Sequence, residues 1–232
     1  MKSPLLLLFL TALCVTAGHA DPLALRFLNW EGAEDSLKFA SKGRTVSLRA
    51  DESTLSPVYS YDGPSPLVLF KQVLVEGKTV RQPVASLNVP EGLTHAIVVL
   101  IPNAADGTCS GVWIDDSPKS RPAGTLRLVN LSNRQVLSKI GAAEFSLAPT
   151  ESHQMTIGAE ATQIMAQAAA QVGGKWEVIA NNPLPVRPRL RLLIVLRNGR
   201  PLPGARPNAV DLLSFYDRPP PLPASEGPAL DH

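Results

Sequence analysis

The sequence predicts an all-β protein of two tandem Ig-like (or related) β-sandwich domains behind an N-terminal signal peptide, and three observations carry that prediction. Short apolar-polar alternations recur between turn residues from Leu25 onward, which is the period of half-buried strands. The same series of landmarks returns about 100 residues later, as a tandem duplication would produce. The first twenty residues carry Lys2, an apolar run over residues 5–15 and the small-residue end Gly18-His19-Ala20, the charged, apolar and cleavable order of a secretory signal.

In the first half, Leu25-Arg26-Phe27-Leu28-Asn29 places Leu25 and Phe27 on one face, and Ser36-Leu37-Lys38-Phe39-Ala40 repeats the pattern after a polar turn. Thr45-Val46-Ser47-Leu48-Arg49 and Val58-Tyr59-Ser60-Tyr61 follow, and Leu67-Val68-Leu69-Phe70 lies beyond the Asp62-Gly63-Pro64 turn. A hairpin at Glu76-Gly77-Lys78 leads into residues 84–89. Ala96-Ile97-Val98-Val99-Leu100-Ile101 has no polar alternation, so it reads as a central strand covered on both faces. Val112-Trp113-Ile114 closes the module.

The second half echoes these in order. Leu126-Arg127-Leu128-Val129-Asn130 repeats the opening strand at a shift of 101 residues. Phe145-Ser146-Leu147 answers Val46-Ser47-Leu48 at 99, and Val172-Gly173-Gly174-Lys175 answers Val75-Glu76-Gly77-Lys78 at 97. Leu192-Leu193-Ile194-Val195-Leu196 supplies the second two-sided apolar strand. Residues 159–171 have the alanine-rich composition of a helix, but their counterpart at 65–74 favours strand, and the repeat decides for strand. The predicted organisation is signal peptide 1–20, first sandwich 21–118, linker 119–123, second sandwich 124–218 and a Pro-rich disordered tail 219–232.

The chain has two cysteines. Cys14 leaves with the signal, and Leu13 stands before it where lipid attachment would need a small residue. Cys109 then has no partner for an intramolecular disulfide, so stability must come from packed cores. Formal net charge is +2, or +1 once Lys2 is removed, which argues against general nucleic-acid binding. No apolar run reaches the roughly 20 residues of a membrane-spanning helix.

Gly107-Thr108-Cys109-Ser110-Gly111 has the Gly-x-nucleophile-x-Gly form of a hydrolase elbow. The elbow needs a strand before it and a helix after it, whereas Val112-Trp113-Ile114 reads as strand; a hairpin tip carrying a thiol fits better. His95 and His153 come with no orienting acid at a recognisable position. No His-x-x-x-His, Cys-x-x-Cys, calcium-loop spacing or phosphate-cradling glycine loop is present, so no metal, cofactor or catalytic residue is assigned.

One positive feature remains. Arg187, Arg189, Arg191 and Arg197 share strand parity opposite Leu190, Leu192, Ile194 and Leu196, and Arg200 and Arg206 follow in a stretch without acids. The plain reading is a solvated sheet face whose stems cover apolar surface. The sharper one is an anion-recognising or partner-binding patch. Asn130-Leu131-Ser132 is an N-glycosylation sequon, without meaning in the bacterial setting that the disulfide-free, Ala/Pro-rich composition favours.

A signal peptide followed by two sandwich-like modules in a little over two hundred residues is similar in outline to the periplasmic pilus chaperones. That resemblance implies strand donation to an exported subunit. It is one of size and architecture, and no motif residue carries over. The expectation is a non-enzymatic exported protein, periplasmic or extracellular, acting as a binding or structural module of the envelope or extracellular space. Its partner would be another exported protein or an envelope component of anionic character, not nucleic acid. A periplasmic assembly chaperone or carrier is the alternative, and a hydrolase using Cys109 a distant third.

Overall fold

A computed structural model describes residues 22–30, 36–103, 105–158, 161–187, 189–199 and 209–219. The expected signal peptide, Arg200, Arg206 and all of the Pro-rich tail but Pro219 lie outside the described residues. Within them the fold is all-β, with sixteen strands in four four-stranded sheets.

The first eight strands are β1 (Leu23–Asn29), β2 (Lys38–Ser41), β3 (Arg44–Ser47), β4 (Tyr59–Tyr61), β5 (Leu67–Val75), β6 (Lys78–Leu87), β7 (His95–Asn103) and β8 (Thr108–Asp115). They form one sheet in the order β4-β1-β7-β8 and another in the order β3-β2-β5-β6. The second eight are β9 (Thr125–Asn130), β10 (Val136–Ile140), β11 (Ala143–Leu147), β12 (Ser152–Thr156), β13 (Gln163–Val172), β14 (Lys175–Pro185), β15 (Arg191–Asn198) and β16 (Val210–Asp217). Their sheets, β12-β9-β15-β16 and β11-β10-β13-β14, repeat the first pair strand for strand.

The repetition extends to register. β1 runs parallel to β7 with Leu25 opposite Ala96 and Leu28 opposite Val99. β9 runs parallel to β15 with Leu126 opposite Leu192 and Val129 opposite Val195. Both strands are therefore displaced consistently, by 101 residues for β1 to β9 and by 96 for β7 to β15. The long hairpins match as well: each carries one register irregularity, at Leu69/Phe70 in β5–β6 and at Ala168/Ala169 in β13–β14. Each closes on a two-residue turn with positive φ, 50° and 78° at Glu76 and Gly77, 56° and 80° at Gly173 and Gly174. That geometry matches the twist of the flanking strands.

The alanine-rich segment is strand from Gln163 on. Hydrogen-bonded neighbours on both sides, β10 and β14, outweigh its helical composition. Ala166, Ala168 and Ala170 point into the core, each buried.

Alternation divides each inner strand between two cores. Leu25 and Phe27 of β1 with Ala96, Val98 and Leu100 of β7 meet Phe39, Leu67 and Leu69 of the outer sheet. Leu126 and Leu128 with Leu192, Ile194 and Leu196 form the corresponding core of the second half. The opposite faces of the inner sheets join each other: Leu28, Ile97, Val99 and Ile114 pack with Val129, Leu193, Val195 and Phe215. The molecule is thus four sheets deep, and the unbroken apolar runs of β7 and β15 follow from burial on both faces. A fully buried aliphatic side chain contributes about 1.5–3 kcal/mol, so this middle layer is a true third core.

Candidate functional site

The inner strands deliver charged residues to both edges of the middle layer. On β15 the interface parity runs Arg191, Leu193, Val195, Arg197, placing a guanidinium at each end of an apolar pair. Arg191 is 1 % exposed and Arg197 is 2 % exposed. These two side chains therefore do not line a solvated face, as the parity pattern alone suggested; they are buried against the other half. Burying a charge is costly unless it is paired and hydrogen-bonded, and both are.

Arg191 donates from Nε to Asp217 Oδ1 at 3.2 Å, from Nη2 to Asp116 Oδ2 at 3.4 Å and to Asp217 Oδ2, and from Nη1 to the carbonyls of Asp116 and Arg121 at 3.1 and 3.2 Å. Arg121, fully buried, donates to Asp116 Oδ1 and, from Nη2, to Asp217 Oδ1 at 3.3 Å. Arg26 of β1 reaches Asp217 Oδ2 at 2.6 Å and donates from Nε to the Ser56 carbonyl at 3.2 Å. Burial pushes the Asp116 carboxyl up from its ordinary value, against the pull of Arg121 and Arg191. The same burial pushes the Arg121 guanidinium down. At the far edge Arg197 donates to the Trp30 carbonyl and to Glu52 Oε2, the latter at 3.2 Å, with Asp211 at 3.8 Å.

Arg121 sits in the segment expected to be a proline-stiffened linker. The segment forms a hydrogen-bonded turn, with Arg121 N donating to Ser117 O at 2.8 Å and Ser120 N to Ser117 Oγ at 3.1 Å. Its arginine is the most buried cation of the cluster.

Arg187 and Arg189 are exposed. With Leu190, Arg218 and Pro219 they line an open groove of about 670 Å³. The four arginines singled out by parity thus divide into an exposed pair at the groove and a buried pair inside the molecule. Asp116, Asp217, Arg26 and Arg121 were not anticipated. The signal for the first three was in the repeat, since Asp116 and Asp217, like Arg26 and Arg127, stand 101 residues apart, whereas Arg121 has Leu222 at that spacing.

Beside the groove, Ala24, Arg26, Val58, His95, Asp116, Arg191 and Arg218 surround a smaller cavity of about 120 Å³. Arg218 belongs to both walls.

Cys109 is the second residue of β8, opposite Pro102 and half-buried against the first core. The chain continues as strand to Asp115, so the strand-to-helix turn of a nucleophile elbow is not formed. The turn before it is held by Asp106, whose Oδ1 accepts from Thr108 N at 2.9 Å and Oγ1 at 2.6 Å, keeping that carboxyl below its usual range. His95 starts β7, seven residues from Pro102, or about 23 Å at ~3.3 Å per residue. His153 lies on β12 in the other half, stacked on Phe145 at 4.1 Å. Among the described residues, no three His, Cys, Asp or Glu side chains are grouped to hold a metal, and no helix is long and apolar enough to cross a membrane.

The sequon residue Asn130 is fully buried. Its Nδ2 donates to the carbonyls of Arg134, Leu147 and Ala148 at 2.8, 3.0 and 3.2 Å, and its Oδ1 accepts from Ser132 N and Oγ at 3.1 and 2.7 Å. The amide is consumed as a structural staple.

Exposed apolar side chains are concentrated on the two long hairpins. Among the described residues the hairpins carry Val68, Leu74, Val75 and Val80 on β5–β6, and Met165, Trp176 and Val178 on β13–β14, with Leu74 73 % and Val178 76 % exposed, while Val58, Leu137 and Tyr216 are the exposed ones elsewhere. No family model matches this chain, and no curated protein sequence is similar to it.

Proposed function

We propose that the protein is an exported, non-enzymatic binding or structural module of the cell envelope or extracellular space. It comprises two Ig-like or related sandwich domains over residues 21–118 and 124–218, and it engages another exported protein through its paired hairpins. The observation that carries this reading is the placement of exposed Leu74, Val75, Val80, Trp176 and Val178 on equivalent hairpins of the two halves. Clustered exposed apolar side chains mark interaction surfaces. Photo-crosslinking amino acids placed at position 74 and, separately, at position 178 in the producing cell test it: the expected result is capture of an exported protein at each position. No cross-link, or capture unchanged by Leu74→Ser with Val178→Ser, refutes the hairpin surface.

The assembly chaperone or carrier reading has one specific support. β2 pairs with β5 only at Phe70 and Leu69, while β5 continues to Val75 paired with β6 alone. An extended segment of a client could add to that open edge. A pulse-chase of the cross-link separates the two: a carrier's client dissociates on delivery, whereas the partner of a structural module stays bound.

A further inference from the structure

We propose that the small cavity at the edge of the middle layer, between Arg26, Arg191, Arg218 and His95, is a binding site for the carboxylate of a small organic acid. This is independent of the hairpin reading. The first argument is charge. Arg26, Arg121 and Arg191 face only Asp116 and Asp217 in the ion-pair cluster, so three guanidiniums meet two carboxylates and one positive charge is left over. Arg218, on the cavity wall, adds another and makes no ion pair among the described residues.

The second argument is that the surplus has somewhere to act. Arg191 spends all three of its nitrogens on protein acceptors and serves as a fixed positive wall. Arg26 uses Nε and Nη1, which leaves Nη2 as a donor on a side chain that is 19 % exposed. Together with the Arg218 fork, it can hold a planar carboxylate by charge-assisted hydrogen bonds. Asp116, the one acid among the lining residues, is ion-paired with Arg121 and Arg191, so its charge is offset by theirs and the surplus near the cavity stays positive.

The third argument concerns ligand class. The cavity holds about 120 Å³, and Ala24 and Val58 form an apolar side to it. A hydrated inorganic anion gains nothing from such a wall, whereas a carboxylate bearing a short hydrocarbon chain places its charge on the arginines and its chain on Val58. His95 and Arg191, which begin the equivalent strands β7 and β15, both stand on this wall, so the cavity lies at the seam where the two halves differ in charge.

The test uses the full mature chain with propionate, its neutral isostere propionamide, and inorganic phosphate, at matched ionic strength, read by saturation-transfer NMR and calorimetric titration. Propionate is expected to bind saturably, propionamide at least tenfold more weakly, and phosphate more weakly than propionate. Arg218→Ala and Val58→Asp both lie at exposed positions outside the buried cluster, so the fold is retained. Arg218→Ala should weaken propionate at least tenfold, and Val58→Asp, by placing a negative charge at the opening, should abolish binding. Equal binding of propionate and propionamide, a preference for phosphate, or wild-type affinity in Arg218→Ala would each overturn the proposal. Absence of propionate binding to the wild-type chain would overturn it too, and would leave the surplus charge a feature of the seam alone.

Discussion

His95 and Arg191 occupy the same place in the two halves, each the first residue of the strand that runs parallel to its half's opening strand. His95 reaches no farther than Thr94 Oγ1 at 3.1 Å, whereas Arg191 crosses the seam to bind Asp116 and Asp217, themselves equivalent residues. The apolar part of the seam is nearly self-complementary: Leu28 with Val129, Ile97 with Leu193, Val99 with Val195 and Ile114 with Phe215 are pairs of repeat-equivalent residues in one cluster. This is the signature of an isologous contact, as between copies in a two-fold dimer. The ionic part breaks it. Arg26 pairs with Asp217, but its equivalent Arg127 donates to the Asp115 carbonyl and Ser120 Oγ, because Arg121 and Arg191 have taken Asp116. A repeated backbone imposes repeated packing, and single side chains remain able to make the electrostatics unequal.

The largest test of that contrast is truncation at the two equivalent positions. Arg191→Ala leaves Asp116 and Asp217 short of a buried partner and is expected to cost about 3–5 kcal/mol. His95→Ala, at a half-exposed ring, should stay within about 0.5 kcal/mol. Urea unfolding of both variants checks this, and equal losses would mean that the asymmetric ion network does not hold the seam.

Next in size is a comparison of the two faces of β15. Leu193 is buried in the seam and Leu192 in the second half's own core, and truncating a buried leucine costs about 2–5 kcal/mol. If the halves unfold as one body, Leu193→Ala and Leu192→Ala should cost similar amounts and each give a single transition. If the halves separate first, Leu193→Ala should be the cheaper and should split the melt.

The outline of this fold was legible because it is written in periodicities. The alternation of Leu25 and Phe27 fixed the face of β1, and the lack of alternation over residues 96–101 fixed β7 as covered on both sides. The repeat then settled β13 against its own composition. What periodicity could not say was what covers the second face of β7 and β15. An apolar parity reads the same whether it meets a sheet of its own half or of the other, so the middle core stayed invisible. For the same reason Arg191 and Arg197 read as a solvated face: strand parity gives direction, and only tertiary placement gives burial. The sequon at Asn130 gave no hint of that residue's structural role, because such a pattern is recognised without knowing where its amide points. Asn130→Ala should cost about 1–3 kcal/mol by leaving buried carbonyls without donors, measurable as a shift in the urea midpoint at unchanged slope.

The smallest expected effect lies at the turn after the third strand of each half, where the first copy holds an aspartate by hydrogen bonds that the second does not repeat. In the first half, Asp51 Oδ1 accepts from Ser53 N at 2.7 Å and from Ser53 Oγ at 2.5 Å. These bonds hold its carboxyl below the ordinary value of 3.8. The second half has Thr150 in the corresponding stretch, with Glu151 Oε2 accepting from Ala148 N at 2.8 Å. A carboxylate whose folded value is depressed contributes stability that is complete above its unfolded value, and that contribution is lost as pH falls through the folded one. Asp51→Asn keeps an acceptor for Ser53 and removes the titration. Thermal melts should therefore show the variant declining less steeply than the wild type below about pH 4, with the two curves parallel above it. Thr150→Ala, at a group that does not titrate, should leave the slope of the acid limb where it was. A steeper acid limb in Asp51→Asn would mean that the carboxylate is strained rather than stabilised by its turn.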